Sequence, residues 1–120
     1  MKDKRVLVVD DEPAIVRLVA LIVHELGCQV DTAGNGAEAL QKIRQAKPDA
    51  VIVDLIMPLM TGEELIQEIQ GDPDLADIAI VLLSTRQSAR GYKKDAFPLI
   101  PKPFEPAQVK QTLRDVLGEG

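Results

Sequence analysis

The sequence predicts an α/β fold in which a five-stranded parallel sheet is doubly wound, with helices on both faces. Strand-like and helix-like stretches alternate five times along 120 residues. The stretches Val6–Val9, Ala50–Val53 and Ile78–Leu83 are wholly apolar, as strands buried on both faces must be. Each then turns polar at its C-terminal end, the edge at which open parallel sheets bind ligands.

Lys4–Val9 reads as strand 1 and runs into Asp10-Asp11-Glu12. Pro13 suits a first helical position, and the acids before it sit where the helix dipole favours negative charge. Helix 1 is expected over Pro13–Leu26, with Ile15, Leu18, Val19, Ile22 and Leu26 as its core stripe and Gly27 as its stop. Gln29–Ala33 is shorter and more polar, a strand at the sheet edge. Gly34-Asn35-Gly36 turns into helix 2, with Ala37, Leu40 and Ile43 inward and Lys42, Arg44 and Lys47 outward. Pro48-Asp49 breaks that helix before strand 3, whose apolar run ends on Asp54. Pro58 stops any continuation.

Thr61-Gly62-Glu63-Glu64 has the form of a capping box and opens helix 3, which ends near Gly71-Asp72-Pro73. Strand 4, Ile78–Leu83, runs into Ser84-Thr85. Arg86–Asp95 is a short, basic, weak helix 4. Phe97–Ile100 is a brief strand 5, which Pro98 confines to an edge. Pro101-Lys102-Pro103-Phe104 is a rigid connection, and Pro106 opens helix 5 with Val109, Leu113, Val116 and Leu117 inward. There is no internal repeat or linker, and residues 1–120 are expected to form one domain. Right-handed crossovers fit five such units to the strand order 2-1-3-4-5, although periodicity alone does not fix it. In that order the ends of strands 1 and 3 are neighbours, which places Asp10 and Asp11 beside Asp54.

Composition removes several function classes. The chain is 28% charged and 46% apolar, a globular balance. Its longest apolar run, Leu18–Val23, is far short of a membrane span. Fourteen basic against 19 acidic residues give a net charge of −5, a poor basis for nucleic-acid binding. With no tryptophan, one tyrosine and two phenylalanines, there is no platform for stacking bases. The lone Cys28 cannot form an internal disulfide, and the N-terminus has no signal-peptide pattern, so a cytoplasmic setting is expected. A nucleotide-binding role lacks its Gly-x-x-x-x-Gly-Lys loop.

Three carboxylates at one edge repel one another, and a hard divalent cation relieves that repulsion. Mg2+ commonly sits between one or two carboxylates and a phosphate. A carboxylate beside it can act as nucleophile toward phosphorus and become an aspartyl phosphate. Such chemistry needs a hydroxyl to bond one phosphoryl oxygen and a lysine to place a point charge on another. Ser84 after strand 4 and Lys102 after strand 5 stand at the same edge. Taken singly each has a plain reading, as helix cap, turn residue, strand-end hydroxyl or surface lysine; their joint placement after strands 1, 3, 4 and 5 does not.

On these residues the chain resembles a response-regulator receiver domain over essentially its full length. The resemblance is carried by Val8-Val9-Asp10-Asp11-Glu12, by Asp54 with Met57-Pro58 and Gly62, by Ser84, and by Lys102-Pro103-Phe104. It implies a flavodoxin-like sheet of order 2-1-3-4-5 and a phosphorylation-dependent switch of a two-component phosphorelay. It implies Asp54 as phosphoacceptor, with Asp10, Asp11, Asp54 and the backbone carbonyl of Ile56 around Mg2+. Ser84 becomes the switch hydroxyl, Lys102 the phosphate-contacting lysine, and the Lys102–Pro103 bond cis. The implied donor is a histidine kinase or a histidine phosphotransfer protein. The domain assists its own phosphorylation and dephosphorylation and is not a metabolic enzyme.

Three features depart from that family's pattern. Leu99 stands where an aromatic is common, and Thr85 where alanine or glycine is usual. The segment from Ser84 to Lys102 is about one helical turn short, so helix 4 is stunted or irregular. These departures keep open a phosphorylation-independent, pseudo-receiver interaction domain. A hydrolase with an aspartyl intermediate would need a second acid at the position of Ile56 and is disfavoured. Val16, Ala20 and Val23 form a second apolar line on helix 1, expected to dock the helical bundle that carries the donor histidine.

Overall fold

The computed structural model describes residues 1–90 and 96–118. Its elements in order are β1 (Arg5–Val9), α1 (Pro13–Glu25), β2 (Gln29–Ala33), α2 (Gly36–Gln45), β3 (Ala50–Val53), α3 (Gly62–Gly71), β4 (Ala79–Ser84), α4 (Arg86–Ala89), β5 (Leu99–Pro101) and α5 (Pro106–Leu117). The sheet is parallel throughout, in the order β2-β1-β3-β4-β5. No helix among the described residues is long and apolar enough to cross a membrane.

The alternation of side chains along each strand divides the core in two. Leu7 and Val9 of β1, with Val51 and Val53 of β3, face α2 and α3 through Ile43, Leu65, Ile66 and Ile69. Val6, Val8, Ala50 and Ile52 face α1 and α5 through Val19, Ile22, Val23, Val109 and Leu113. Both faces of the central strands are therefore dry, which is why Val6–Val9 and Ala50–Val53 are apolar at every position.

The ends of the elements follow local chemistry. Thr61 and Glu64 close the capping box of α3, and Asn35 caps α2 by accepting from the Glu38 N–H. Gly27 follows α1 with φ 90°, a conformation that glycine adopts without a Cβ clash. The Lys102–Pro103 peptide is cis.

Several sequence expectations need correction. Ala37 is exposed, and the core line of α2 is Gly36, Ala39 and Ile43, with Leu40 half-buried beside it. Leu18 is 45% exposed, because the inward line of α1 runs through Val19, Ile22 and Val23. Val23 is fully buried in that line and is no part of a free docking surface, while Val16 and Ala20 are half-buried. β5 starts two residues later than expected, at Leu99, since Pro98 supplies only a carbonyl, which accepts from Leu82 N–H. α4 spans only Arg86–Ala89 of the expected 86–95, and residues 91–95 lie outside the described ones.

Gly62 makes the closest backbone approach near β3. A Cβ at this residue would lie 2.1 Å from the Asp54 carbonyl oxygen, and its N–H donates to Leu55 O at 3.1 Å. Gly62→Ala is therefore expected to lower unfolding stability by about 2–4 kcal/mol in denaturant titrations. Gly71→Ala, which meets nothing within 4 Å, should change it by less than about 1 kcal/mol.

Candidate functional site

The backbone ladder continues one residue past β1 and β3. Asp10 N–H donates to Ala33 O at 3.2 Å, and Asp54 N–H donates to Val9 O at 3.0 Å. Val9 pairs with Val53 in the register, so the two aspartates leave adjacent strands side by side. Both are buried, Asp10 at 1% and Asp54 at 7% exposure, and buried carboxylates require a counter-charge.

Lys102 supplies it. Ser84 ends β4 and is buried, and its carbonyl accepts from Lys102 N–H at 3.0 Å, which fixes where the lysine leaves the sheet. The Lys102 ammonium lies 2.7 Å from Asp10 Oδ2, 3.1 Å from Asp54 Oδ2 and 3.5 Å from Glu12 Oε1. The remaining oxygens are met by backbone: Glu12 N–H donates to Asp10 Oδ1 at 3.0 Å, and Ile56 N–H donates to Asp54 Oδ1 at 3.2 Å.

The balance of charge is uneven. Burial pushes the Asp10 carboxyl above its usual pKa, against the pull of Lys102 and the Glu12 N–H, and the nearby Asp54 charge adds to the rise. Burial works against the charged form of Lys102, but the Asp10 and Asp54 carboxylates outweigh it and raise its pKa. Asp10 Oδ2 faces the Lys102 ammonium at 2.7 Å, and that one cation is shared with Asp54 and Glu12. Asp10, Asp11 and Glu12 also bring ligand oxygens within 4.8 Å of one another. Three acids whose oxygens lie this close, with one lysine among them, form a hard-oxygen cluster that fits a divalent cation.

Asp54, Ser84 and Lys102 line one cleft with Ile56, Thr85 and Ser88. Asp10, Asp11, Asp54, Ser84 and Lys102 thus lie at one sheet edge, and Asp54 reaches Asp10 through Lys102. Sequence reasoning missed Glu12 and Ser88. Glu12 stands in the acidic run that carries the family resemblance, but that run by itself does not announce its approach to Lys102. Ser88 gives no signal until the brevity of α4 brings it to the cleft. Leu59, in the loop after Asp54, is 81% exposed with φ 65°, a costly conformation for a leucine that no local pattern announces.

A family model described as response regulator receiver domain matches residues 6–114. The chain belongs to the response-regulator receiver family. The receiver is 35% identical over 115 residues to a probable transcriptional regulator ycf27 of Guillardia theta, covering 95% of this chain and 45% of that protein. It is 39% identical over 127 residues to a protein-glutamate methylesterase/protein-glutamine glutaminase of Desulfotalea psychrophila, covering 98% of this chain and 34% of that one. The chain thus spans half or less of the curated relatives it matches. Among solved structures, the chemotaxis response regulator CheY4 of Vibrio cholerae superposes with a TM-score of 0.86 at 32% identity, covering 94% of this chain and 98% of that one. The sheet order agrees with this assignment, and α4 is short as the sequence leads one to expect.

The raised Asp10 pKa has a signed consequence. A folded state that prefers the protonated acid is favoured below the ordinary carboxylate pKa, and that advantage is lost as pH rises through the pKa of Asp10 in the fold. At neutral pH without divalent cation, Asp10→Asn should therefore raise Tm by roughly 2–5 °C, with the gain shrinking at acid pH. Mg2+ should raise the Tm of the wild type and leave the variant nearly unmoved. Thermal scans across pH, with and without Mg2+, check both.

Proposed function

We propose that this receiver is a phosphorylation-dependent signalling switch, with residues 1–120 as one receiver unit and Asp54 as the phosphoacceptor. The observation that carries the reading is the shared Lys102 ammonium, 3.1 Å from Asp54 and 2.7 Å from Asp10, in a cleft that Ser84 also lines. An Asp54 oxygen attacks phosphorus of a phosphohistidine, the P–N bond breaks, and its electron pair returns to the imidazole. Lys102 then contacts a phosphoryl oxygen, and Ser84 donates its hydroxyl to another. Asp10 and Asp11, with Asp54 and the Ile56 carbonyl, would hold Mg2+, which offsets charge on the phosphoryl oxygens. The acyl phosphate shifts the population toward a form in which the turns after β3 and β4 have moved.

The partner in this reading is a histidine kinase or histidine phosphotransfer protein. α1 begins at Pro13, directly after the Asp10–Glu12 cluster, so a donor whose histidine reaches Asp54 lies against its first turns. Leu18 and Leu21, 45% and 60% exposed, are the large apolar side chains that α1 offers to solvent. They take the docking role first assigned to Val16, Ala20 and Val23. The receiver assists its own phosphorylation chemistry and is not proposed to share the esterase activity of its Desulfotalea relative.

Incubation with acetyl phosphate and Mg2+ should add one phosphoryl group by intact mass. The increment should vanish in Asp54→Asn and without Mg2+. Failure here and in a beryllium fluoride titration would favour the phosphorylation-independent interaction domain. Leu21→Glu should slow transfer from a phosphohistidine protein at least tenfold and leave the acetyl phosphate rate unchanged; equal loss with both donors would place the defect in the site.

A further inference from the structure

The turn after Ser84 contains a hydroxyl pair to which the switch reading gives no role. Thr85 caps α4: its Oγ1 accepts from Ser88 N–H at 3.0 Å and donates to Ser88 Oγ at 2.8 Å. Both side chains line the cleft with Asp54, Ser84 and Lys102. No loop separates the pair from the sheet, because β4 ends at Ser84 and α4 begins at Arg86. None of the four residues of α4 is fully buried, and Ala89 alone packs half-buried against the core. A helix this short has almost no cooperative stability of its own, so its order depends on the cap.

We propose that Thr85 and Ser88 are positioning residues for Ser84, a two-hydroxyl latch that opposes its movement toward a phosphoryl group. Ser84 is joined directly to the capping residue, and the carbonyl of that linking peptide accepts from the Lys102 N–H. Any backbone shift that carries the Ser84 hydroxyl to a group on Asp54 also turns Thr85, and with it the bonds to Ser88. The latch thus sets the unphosphorylated form as the resting one and raises the cost of switching by about the value of one helix cap. This inference rests on Asp54 as the phosphoacceptor.

The test is a beryllium fluoride titration with Mg2+ present, on the wild type, Thr85→Ala, Ser88→Ala and Thr85→Ser. Thr85→Ala, which removes both bonds, should tighten binding about fivefold. Ser88→Ala, which removes only the bond between hydroxyls, should tighten it by about twofold, and Thr85→Ser, which keeps the hydroxyl and loses a methyl, should bind as the wild type does. Unchanged affinity in both alanine variants overturns the latch. So does tightening in Thr85→Ser equal to that in Thr85→Ala with Ser88→Ala inert, since side-chain bulk at the cleft would then be the cause. Amide exchange at Lys102, read without beryllium fluoride, separates the latch from the phosphoacceptor reading. That amide reports how firmly Ser84 O is held, and it should exchange several-fold faster in both alanine variants and not in Thr85→Ser. If the wild type takes up no beryllium fluoride, the phosphoacceptor reading fails, and unchanged exchange still overturns the latch.

Discussion

The rest of the site depends on one ammonium group serving two buried carboxylates. Lys102 lies within 3.1 Å of both Asp10 and Asp54, and neither acid has solvent enough to carry its charge alone. This requirement reaches back into the sheet. β1 and β3 must run parallel in register, so that their next residues emerge together, and β4 and β5 must follow on the same side to deliver Ser84 and Lys102. The apolar strands are thus more than a core, since they fix the relative heights of four polar side chains at one edge.

The lysine does not satisfy the site completely. It is one cation among several acids, and burial still favours the protonated form of Asp10. Asp11 and Glu12 add negative charge within 4.8 Å of Asp10. A cluster in this state gains from any added positive charge, and so its stability is tied to what it binds. The loop after Asp54 is also under constraint: Gly62 packs directly on the Asp54 backbone, and Leu59 holds φ at 65°. Backbone constraint and crowded acidic charge therefore gather at the same end of the sheet.

Much was legible in the chain because its signals are local. Buried strands show as unbroken apolar runs, and the capping box at Thr61 acts within three residues of itself. The resemblance added what periodicity could not, namely the strand order and the joint role of Asp10, Asp54, Ser84 and Lys102. Errors arose where a helix face had to be chosen. Leu18 and Val23 are both apolar and both at helical spacing in α1, yet one faces water and the other is fully buried. Ala37 and Ala39 differ in the same way in α2.

The sequence by itself determined the class of fold, the order of elements, the parallel buried sheet and the set of polar residues at its C-terminal edge. These follow from hydrophobic period and from proline, glycine and capping signals, each of which acts over a few residues. Only the tertiary structure decided that Lys102 bridges Asp10 and Asp54, and that Thr85 and Ser88 stand at the cleft beside Asp54. It alone decided which side of α1 remains outside. Those outcomes depend on distances between residues far apart in the chain, and a pattern of neighbours contains no such distances.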